Sequence, residues 1–131
     1  MSAPSRGLKS DLKRVRGLGS AKSGTQHFWH QRLTAFANIP LALVTLWVVL
    51  SSLGGGYDAA VDRLASPMIG PFVLLFVLSA YYHASLGLSN VIEDYVSGEM
   101  PRMVALILMR FALILLGVMS IIALMQIMIA G

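Results

Sequence analysis

The sequence predicts an all-α integral membrane protein with three transmembrane helices, on the evidence of its composition and of three long apolar runs. Of its 131 residues, 56% are hydrophobic and only 12% are charged, and the mean hydropathy is +0.74. Soluble domains of this length are less apolar. We divide the chain into a basic tail over residues 1–24 and a three-helix membrane domain over residues 25–131.

The apolar runs cover about residues 32–53, 68–96 and 103–130. Each is long enough to cross the ~30 Å hydrocarbon layer as a helix. Pro40 should bend the first helix, which neighbouring helices can accommodate. We expect a Gly-rich loop over 54–67 and a short turn over 97–102.

Basic residues are concentrated at the N-terminus, where seven of the ten Lys and Arg side chains lie within the first 32 positions. Such a cluster beside a span marks the cytoplasmic side and argues against a nucleic-acid-binding protein. The first apolar run also begins too late for a secretory signal peptide. These features predict a bacterial inner (cell) membrane protein with a cytoplasmic N-terminus and an external C-terminus. A mitochondrial transit peptide is the alternative interpretation of the basic start.

Polar and small residues form one stripe along the second span. At 100° per residue, its members lie within about 40° of the direction of His83. They are Ser79, His83, Gly87, Asn90 and Asp94. Because lipid does not solvate such a surface, the stripe should face the bundle interior or a partner helix.

His83 lies 11 residues before Asp94, or roughly 16 Å along the helix and near the middle of the membrane. One interpretation is an interhelical hydrogen bond. The other is an axial haem ligand, since neutral imidazole binds haem iron and the chain contains no cysteine to compete. Gly87, one turn further on, would let a flat macrocycle approach the backbone. A second axial ligand would then have to come from another chain.

Asp94 and Tyr95 end the second span at the predicted cytoplasmic interface. Charged and aromatic residues often end transmembrane helices without any further role. The functional interpretation is a headgroup site, in which the tyrosine hydroxyl donates to a quinone carbonyl and the carboxylate orients it or relays protons. The residues alone leave both interpretations open.

Three further sets of basic side chains are considered as site residues. Arg32 opens the first span at the level of Asp94 and could pair with a haem propionate or a carboxylate, or extend to lipid headgroups. Arg110 lies inside the third span, where it needs an acidic partner or must extend to the interface. His27 and His30 lie at the water interface and are poor candidates for a mid-membrane ligand.

The pattern H-x3-G-x6-D-Y, formed by His83, Gly87, Asp94 and Tyr95, resembles the second span of the small cytochrome b membrane anchors of succinate dehydrogenase, or complex II. The run GSAKSGTQHFWHQRLTA, which contains Arg32, is similar to the alphaproteobacterial type of these anchors. The resemblance covers about residues 18–130.

The resemblance implies that His83 is one axial ligand of haem b, with the other histidine supplied by a companion cytochrome b chain. It implies that Tyr95 binds ubiquinone with Asp94 beside it, and that Arg32 lies near the haem propionates or the quinone pocket. Succinate would be oxidised elsewhere, on a flavoprotein subunit that passes electrons through an iron–sulfur subunit. On this basis the chain is a non-catalytic anchor. A fumarate reductase anchor that uses menaquinone, or a haem-free structural membrane protein, are the alternatives.

Overall fold

In the computed structural model, residues 22–130 are described and form four helices. They are α1 (Lys22–Ser52), α2 (Gly56–Leu64), α3 (Gly70–Tyr95) and α4 (Glu99–Ala130). Helices α1, α3 and α4 are long and apolar enough to cross a membrane. This confirms the predicted all-α class with three spans. The predicted basic tail, residues 1–24, lies almost entirely outside the described residues, and the orientation across the membrane stays a prediction.

Helix α1 is longer than the apolar run that predicted it. It begins at Lys22, ten residues before Arg32, and contains 31 residues. At 1.5 Å per residue it measures about 46 Å, which exceeds the ~30 Å hydrocarbon layer. Its polar first turns can therefore extend beyond the hydrocarbon. The helix also continues through Pro40, although proline supplies no N–H for the carbonyl four residues earlier.

Helix α3 is the central element of the three spans. It packs against both α1 and α4, which do not contact each other within the described part of the chain. On the α4 side, the hydroxyls of Tyr81 and Ser120 are 3.1 Å apart, and the Tyr81 ring lies next to Gly117 of α4. Among the described residues, Val48 and Val73 are the buried hydrophobic ones. The remaining apolar surface is thus available to lipid or to other chains.

The connection between the first two spans differs from the predicted Gly-rich loop, because it contains the nine-residue helix α2. Asp58 lies in its first turn and Arg63 in its last turn, which complements the helix dipole at both ends. The Arg63 guanidinium also lies 5.5 Å from the ring centroid of Trp47 on α1. Three consecutive glycines predicted a loop here, but the helix begins at the last of them.

The turn between α3 and α4 lies next to the candidate headgroup residues. Val96 is extended, and Gly98 has a φ of +91°, a left-handed conformation that glycine adopts without steric cost. The Arg102 side chain donates through Nε and Nη2 to the Val96 carbonyl, with both distances 3.3 Å. Arg102 therefore satisfies a backbone acceptor just beyond Asp94 and Tyr95.

Candidate functional site

Polar side chains pair across the α1–α3 interface at three points. The Thr34 hydroxyl lies 2.9 Å from His83 Nδ1, and Asn90 Nδ2 donates to Gln31 Oε1 at 3.0 Å. Nearby, His30 Nδ1 lies 2.6 Å from the Tyr82 hydroxyl. We call these six residues the α1–α3 polar seam. Because the hydrophobic effect does not bring helices together inside lipid, interhelical hydrogen bonds and close packing define which faces of the two helices meet.

His83 makes the interhelical hydrogen bond that the first of its two interpretations requires. The residue is half-buried on α3, and its Nδ1 points to Thr34. This bond occupies one ring nitrogen only. Since Nε2 is the nitrogen left over, the hydrogen bond is also compatible with the second interpretation, in which His83 is a haem ligand.

The other four members of the polar stripe differ in their surroundings, and Ser79 is half-buried. Asn90 contacts α1 alongside His83, as a stripe that faces a partner helix should. A Cβ built on Gly87 would have no heavy atom within 4 Å, so Gly87 faces open space one turn from His83. Asp94 is exposed at the end of the helix.

Tyr95 is the last residue of α3, and 83% of its surface is exposed. A cleft of about 470 Å³ opens nearby between the start of α1 and the end of α3. It is lined by Gly24, His27, Phe28, Gln31, Asn90 and Glu93. The cleft therefore takes in Glu93 rather than its neighbours Asp94 and Tyr95. Within residues 24–130, these two side chains are presented outward rather than enclosed.

Arg32 lies on a different side of α1 from the polar seam. It is two residues from Thr34, which corresponds to roughly 160° around the helix. Its side chain is exposed, and the guanidinium lies 5.1 Å from the ring centroid of Phe28. The structure does not bring Arg32 together with His83.

Arg110 lines a cleft of about 370 Å³ between α3 and α4, together with Tyr81, Tyr82 and Ser85. Ser85 precedes Asp94 by nine residues, or about 14 Å along α3. This places Arg110 closer to the middle of α3 than to its acidic end. Arg110 also lines a second cleft, together with Glu99 and Arg102 of α4.

Three residues of the seam were not singled out from the sequence: Tyr82 on α3, and Gln31 and Thr34 on α1. The signal was present, because Gln31, Thr34 and Asn38 follow each other at spacings of three and four and so share one side of α1. Asn38 lies one turn beyond Thr34, and its buried Oδ1 has no hydrogen-bond partner among the described residues. The polar stripe of α3 thus meets a second polar stripe on α1.

The described residues contain no group of three His, Cys, Asp or Glu side chains that could hold a metal ion by themselves. A metal centre on this part of the chain would therefore need ligands from elsewhere. Haem iron satisfies this condition, since the porphyrin supplies four nitrogens and the protein only the axial ligands.

Comparison with known proteins assigns the chain to a family. The family described as succinate dehydrogenase/fumarate reductase transmembrane subunit matches residues 6–119. The succinate dehydrogenase hydrophobic membrane anchor subunit of Rickettsia bellii is 31% identical to this chain, over 88% of this chain and 93% of its own length. The protein of the same description from Rickettsia conorii is 32% identical, over 89% of this chain and 94% of its own length.

The protein of the same description from Paracoccus denitrificans is 31% identical over 66% of this chain and 67% of its own length. No solved structure gives a significant match. The family match spans most of the chain and agrees with three helices able to cross a membrane. The chain therefore belongs to the succinate dehydrogenase/fumarate reductase transmembrane subunit family.

Proposed function

We propose that this chain is the hydrophobic membrane anchor subunit of a succinate dehydrogenase (succinate:ubiquinone oxidoreductase) in the bacterial inner membrane. In this role it contributes one axial ligand of haem b and part of the ubiquinone site. It thereby serves electron transfer from succinate to the respiratory chain. Family membership and the names of the relatives support the anchor role. The observation that carries the haem assignment is the position of His83, half-buried at the α1–α3 interface with only Nδ1 engaged.

The residues around His83 fit a flat prosthetic group. Nε2 is left for iron, and the open space at Gly87 gives a macrocycle room beside the helix. The buried Oδ1 of Asn38, which has no partner among the described residues, indicates that the polar interface is incomplete without a further molecule. When bound, haem b supplies one-electron redox chemistry, and the second axial histidine comes from the companion cytochrome b chain.

Tyr95 and Asp94 form this chain's share of the ubiquinone site. The phenol is exposed at the end of α3, where it can donate a hydrogen bond to a quinone carbonyl. Asp94 beside it can orient the phenol or relay protons from water. Because both side chains face outward, the other walls of the site belong to the companion cytochrome b chain and to the iron–sulfur subunit.

Arg32 contributes on the outer side of α1 in this proposal. Its guanidinium carries a permanent charge at the end of the span where Asp94 lies, and it faces away from Thr34. Arg32 can therefore reach a haem propionate or the quinone pocket only if the propionate or the pocket extends around α1, or if the companion cytochrome b chain places it on that side of α1. Succinate itself is oxidised on the flavoprotein subunit.

Replacing His83 by alanine tests the haem assignment. In the assembled complex, His83→Ala should abolish or strongly alter the reduced-minus-oxidised spectrum of haem b, because one axial ligand is lost. His30→Ala is the matched control, since His30 also bonds to a partner across the α1–α3 interface but is exposed. An unchanged bis-histidine spectrum in His83→Ala would refute the assignment. Absence of haem from the wild-type complex would favour a structural protein.

Replacing Tyr95 by phenylalanine tests the quinone site. Loss of one hydrogen bond to the quinone should lower ubiquinone reduction on the order of tenfold. Succinate oxidation with an artificial acceptor should stay near the wild-type rate, because that reaction bypasses the quinone. Tyr57→Phe, at a similarly exposed tyrosine near the start of α2, is the control. Equal losses in both assays would instead indicate defective assembly, whereas ubiquinone reduction at the wild-type rate would contradict the assignment.

The family description also names fumarate reductase, which favours one second candidate. An anchor of that enzyme would serve the reverse reaction with menaquinone. Assays of the purified complex with ubiquinone and menaquinone separate the two, since a fumarate reductase should prefer menaquinol oxidation to ubiquinone reduction.

A further inference from the structure

The Thr34 hydroxyl has more neighbours than it has protons. Its Oγ1 lies 2.8 Å from the His30 carbonyl, 3.1 Å from the Gln31 carbonyl and 2.9 Å from His83 Nδ1. A hydroxyl has a single proton to donate and two lone pairs to accept. Carbonyl oxygens can only accept, so the proton is directed to the backbone of α1. The contact with His83 must then use a lone pair of Oγ1.

This arrangement favours one of the two neutral tautomers of His83. If Oγ1 accepts, Nδ1 must donate, so the neutral ring is protonated at Nδ1 and has its free lone pair on Nε2. The reverse arrangement, with the hydroxyl donating to Nδ1, would leave Oγ1 facing two carbonyl oxygens with no proton between them. That arrangement is electrostatically unfavourable at a half-buried position.

We propose that Thr34 is a positioning residue that holds His83 in the tautomer and orientation required for an axial haem ligand. This inference rests on the proposed function of His83 and extends it to a residue on the other helix. Hydrogen bonds from the second ring nitrogen of a ligating histidine orient the ring and raise its basicity. A more basic ligand stabilises ferric over ferrous iron and so lowers the midpoint potential.

The surrounding structure makes Thr34 suited to this task. A threonine has few side-chain rotamers in a helix, and its hydroxyl is already anchored to the preceding turn. The bond between Gln31 and Asn90 lies seven residues along α3 from His83, or roughly 10 Å. It therefore opposes sliding of α1 against α3, which would move Thr34 away from the ring.

The test compares three variants in the assembled complex. Thr34→Val keeps the shape but removes the hydroxyl, and Thr34→Ser keeps the hydroxyl. Thr45→Val is the matched control, because Thr45 is also half-buried on α1 and donates to a carbonyl four residues earlier, but bonds no histidine. The measurements are haem content, the electron paramagnetic resonance signal of ferric haem and the midpoint potential.

We expect Thr34→Val to weaken haem retention by roughly 10-fold or more, to broaden or shift the ferric signal and to raise the midpoint potential. Thr34→Ser should restore the wild-type values, and Thr45→Val should not depart from them. A Thr34→Val complex with the haem content, spectrum and potential of Thr45→Val would overturn the proposal.

The outcome stays interpretable when ligation itself fails. If His83→Ala leaves the haem unchanged, the haem assignment is refuted. If His83→Ala loses haem while Thr34→Val is silent, only the role of Thr34 is refuted. Thr34→Ala is the second hydroxyl-free variant. Failure of both hydroxyl-free variants to assemble, with an intact serine variant, would assign Thr34 a purely structural role and would also overturn the proposal.

Discussion

Adding one methyl group at Gly117 or at Gly70 tests the packing around α3 in two places. A Cβ on Gly117 would lie 3.6 Å from Cγ of Tyr81, an ordinary van der Waals distance. A Cβ on Gly70 would collide with the Leu64 backbone carbonyl and lie 2.7 Å from Cε of Met128. The methionine side chain can move, but the carbonyl belongs to the backbone of Leu64, the last residue of α2.

The expected effects on stability have opposite signs. Within a helix, glycine costs about 0.5–1 kcal/mol relative to alanine, so Gly117→Ala should raise the free energy of unfolding by about that amount. Forcing a group into filled space costs about 1–3 kcal/mol, so Gly70→Ala should lower it by this order. The free energies of unfolding of the two variants should therefore differ by about 1.5–4 kcal/mol.

The assay is unfolding of the purified chain in mixed micelles by increasing SDS, followed by circular dichroism and by fluorescence of Trp29 and Trp47. Gly117→Leu is an added control, because its larger side chain should collide with Tyr81 and reverse the gain seen with alanine. The packing would be refuted if Gly70→Ala were as stable as wild type. It would also be refuted if Gly117→Ala were destabilised by as much as Gly70→Ala.

Three other predictions address the interfaces and the orientation. A double-mutant cycle with Gln31→Leu and Asn90→Leu should give a coupling of about 0.6 kcal/mol, rising to about 1.7 kcal/mol at most; zero coupling would mean that the two amides do not meet. Tyr81→Phe should lower the free energy of unfolding by about 1 kcal/mol, because the hydrogen bond between Tyr81 and α4 is lost. An unchanged free energy of unfolding would mean that Tyr81 does not make this hydrogen bond. Because the natural chain has no cysteine, Gly54→Cys should react with an impermeant maleimide in intact spheroplasts and Ser97→Cys only after permeabilisation. The opposite result would invert the predicted orientation.

Much of the fold could be predicted because the bilayer imposes it on the sequence. An apolar run of 20 residues or more must hydrogen-bond its own backbone in hydrocarbon, so length and hydropathy suffice to locate α1, α3 and α4. Helix α2 was missed for the opposite reason. It is short and of mixed polarity, and it is stabilised in part by contacts such as Arg63 over Trp47, which depend on the fold.

The candidate site was predictable from one side only. Helical periodicity placed His83 and Asn90 on a common face, and the structure turns both toward α1. The periodicity of α3 cannot say which residues of another helix lie opposite. The spacing of Gln31 and Thr34 marks a polar side of α1, but their pairing with Asn90 and His83 became visible only when the two helices were packed.

By itself, the sequence determined the class of protein, the number of spans and the polar stripe of α3, because each depends on composition or on the local geometry of one helix. The resemblance around His83 and Tyr95 indicated the family. Only the tertiary structure decided that α3 lies between α1 and α4, and that Thr34 lies opposite Nδ1 of His83. These features depend on the rotation of each helix about its axis, which contacts between helices select and no single helix encodes.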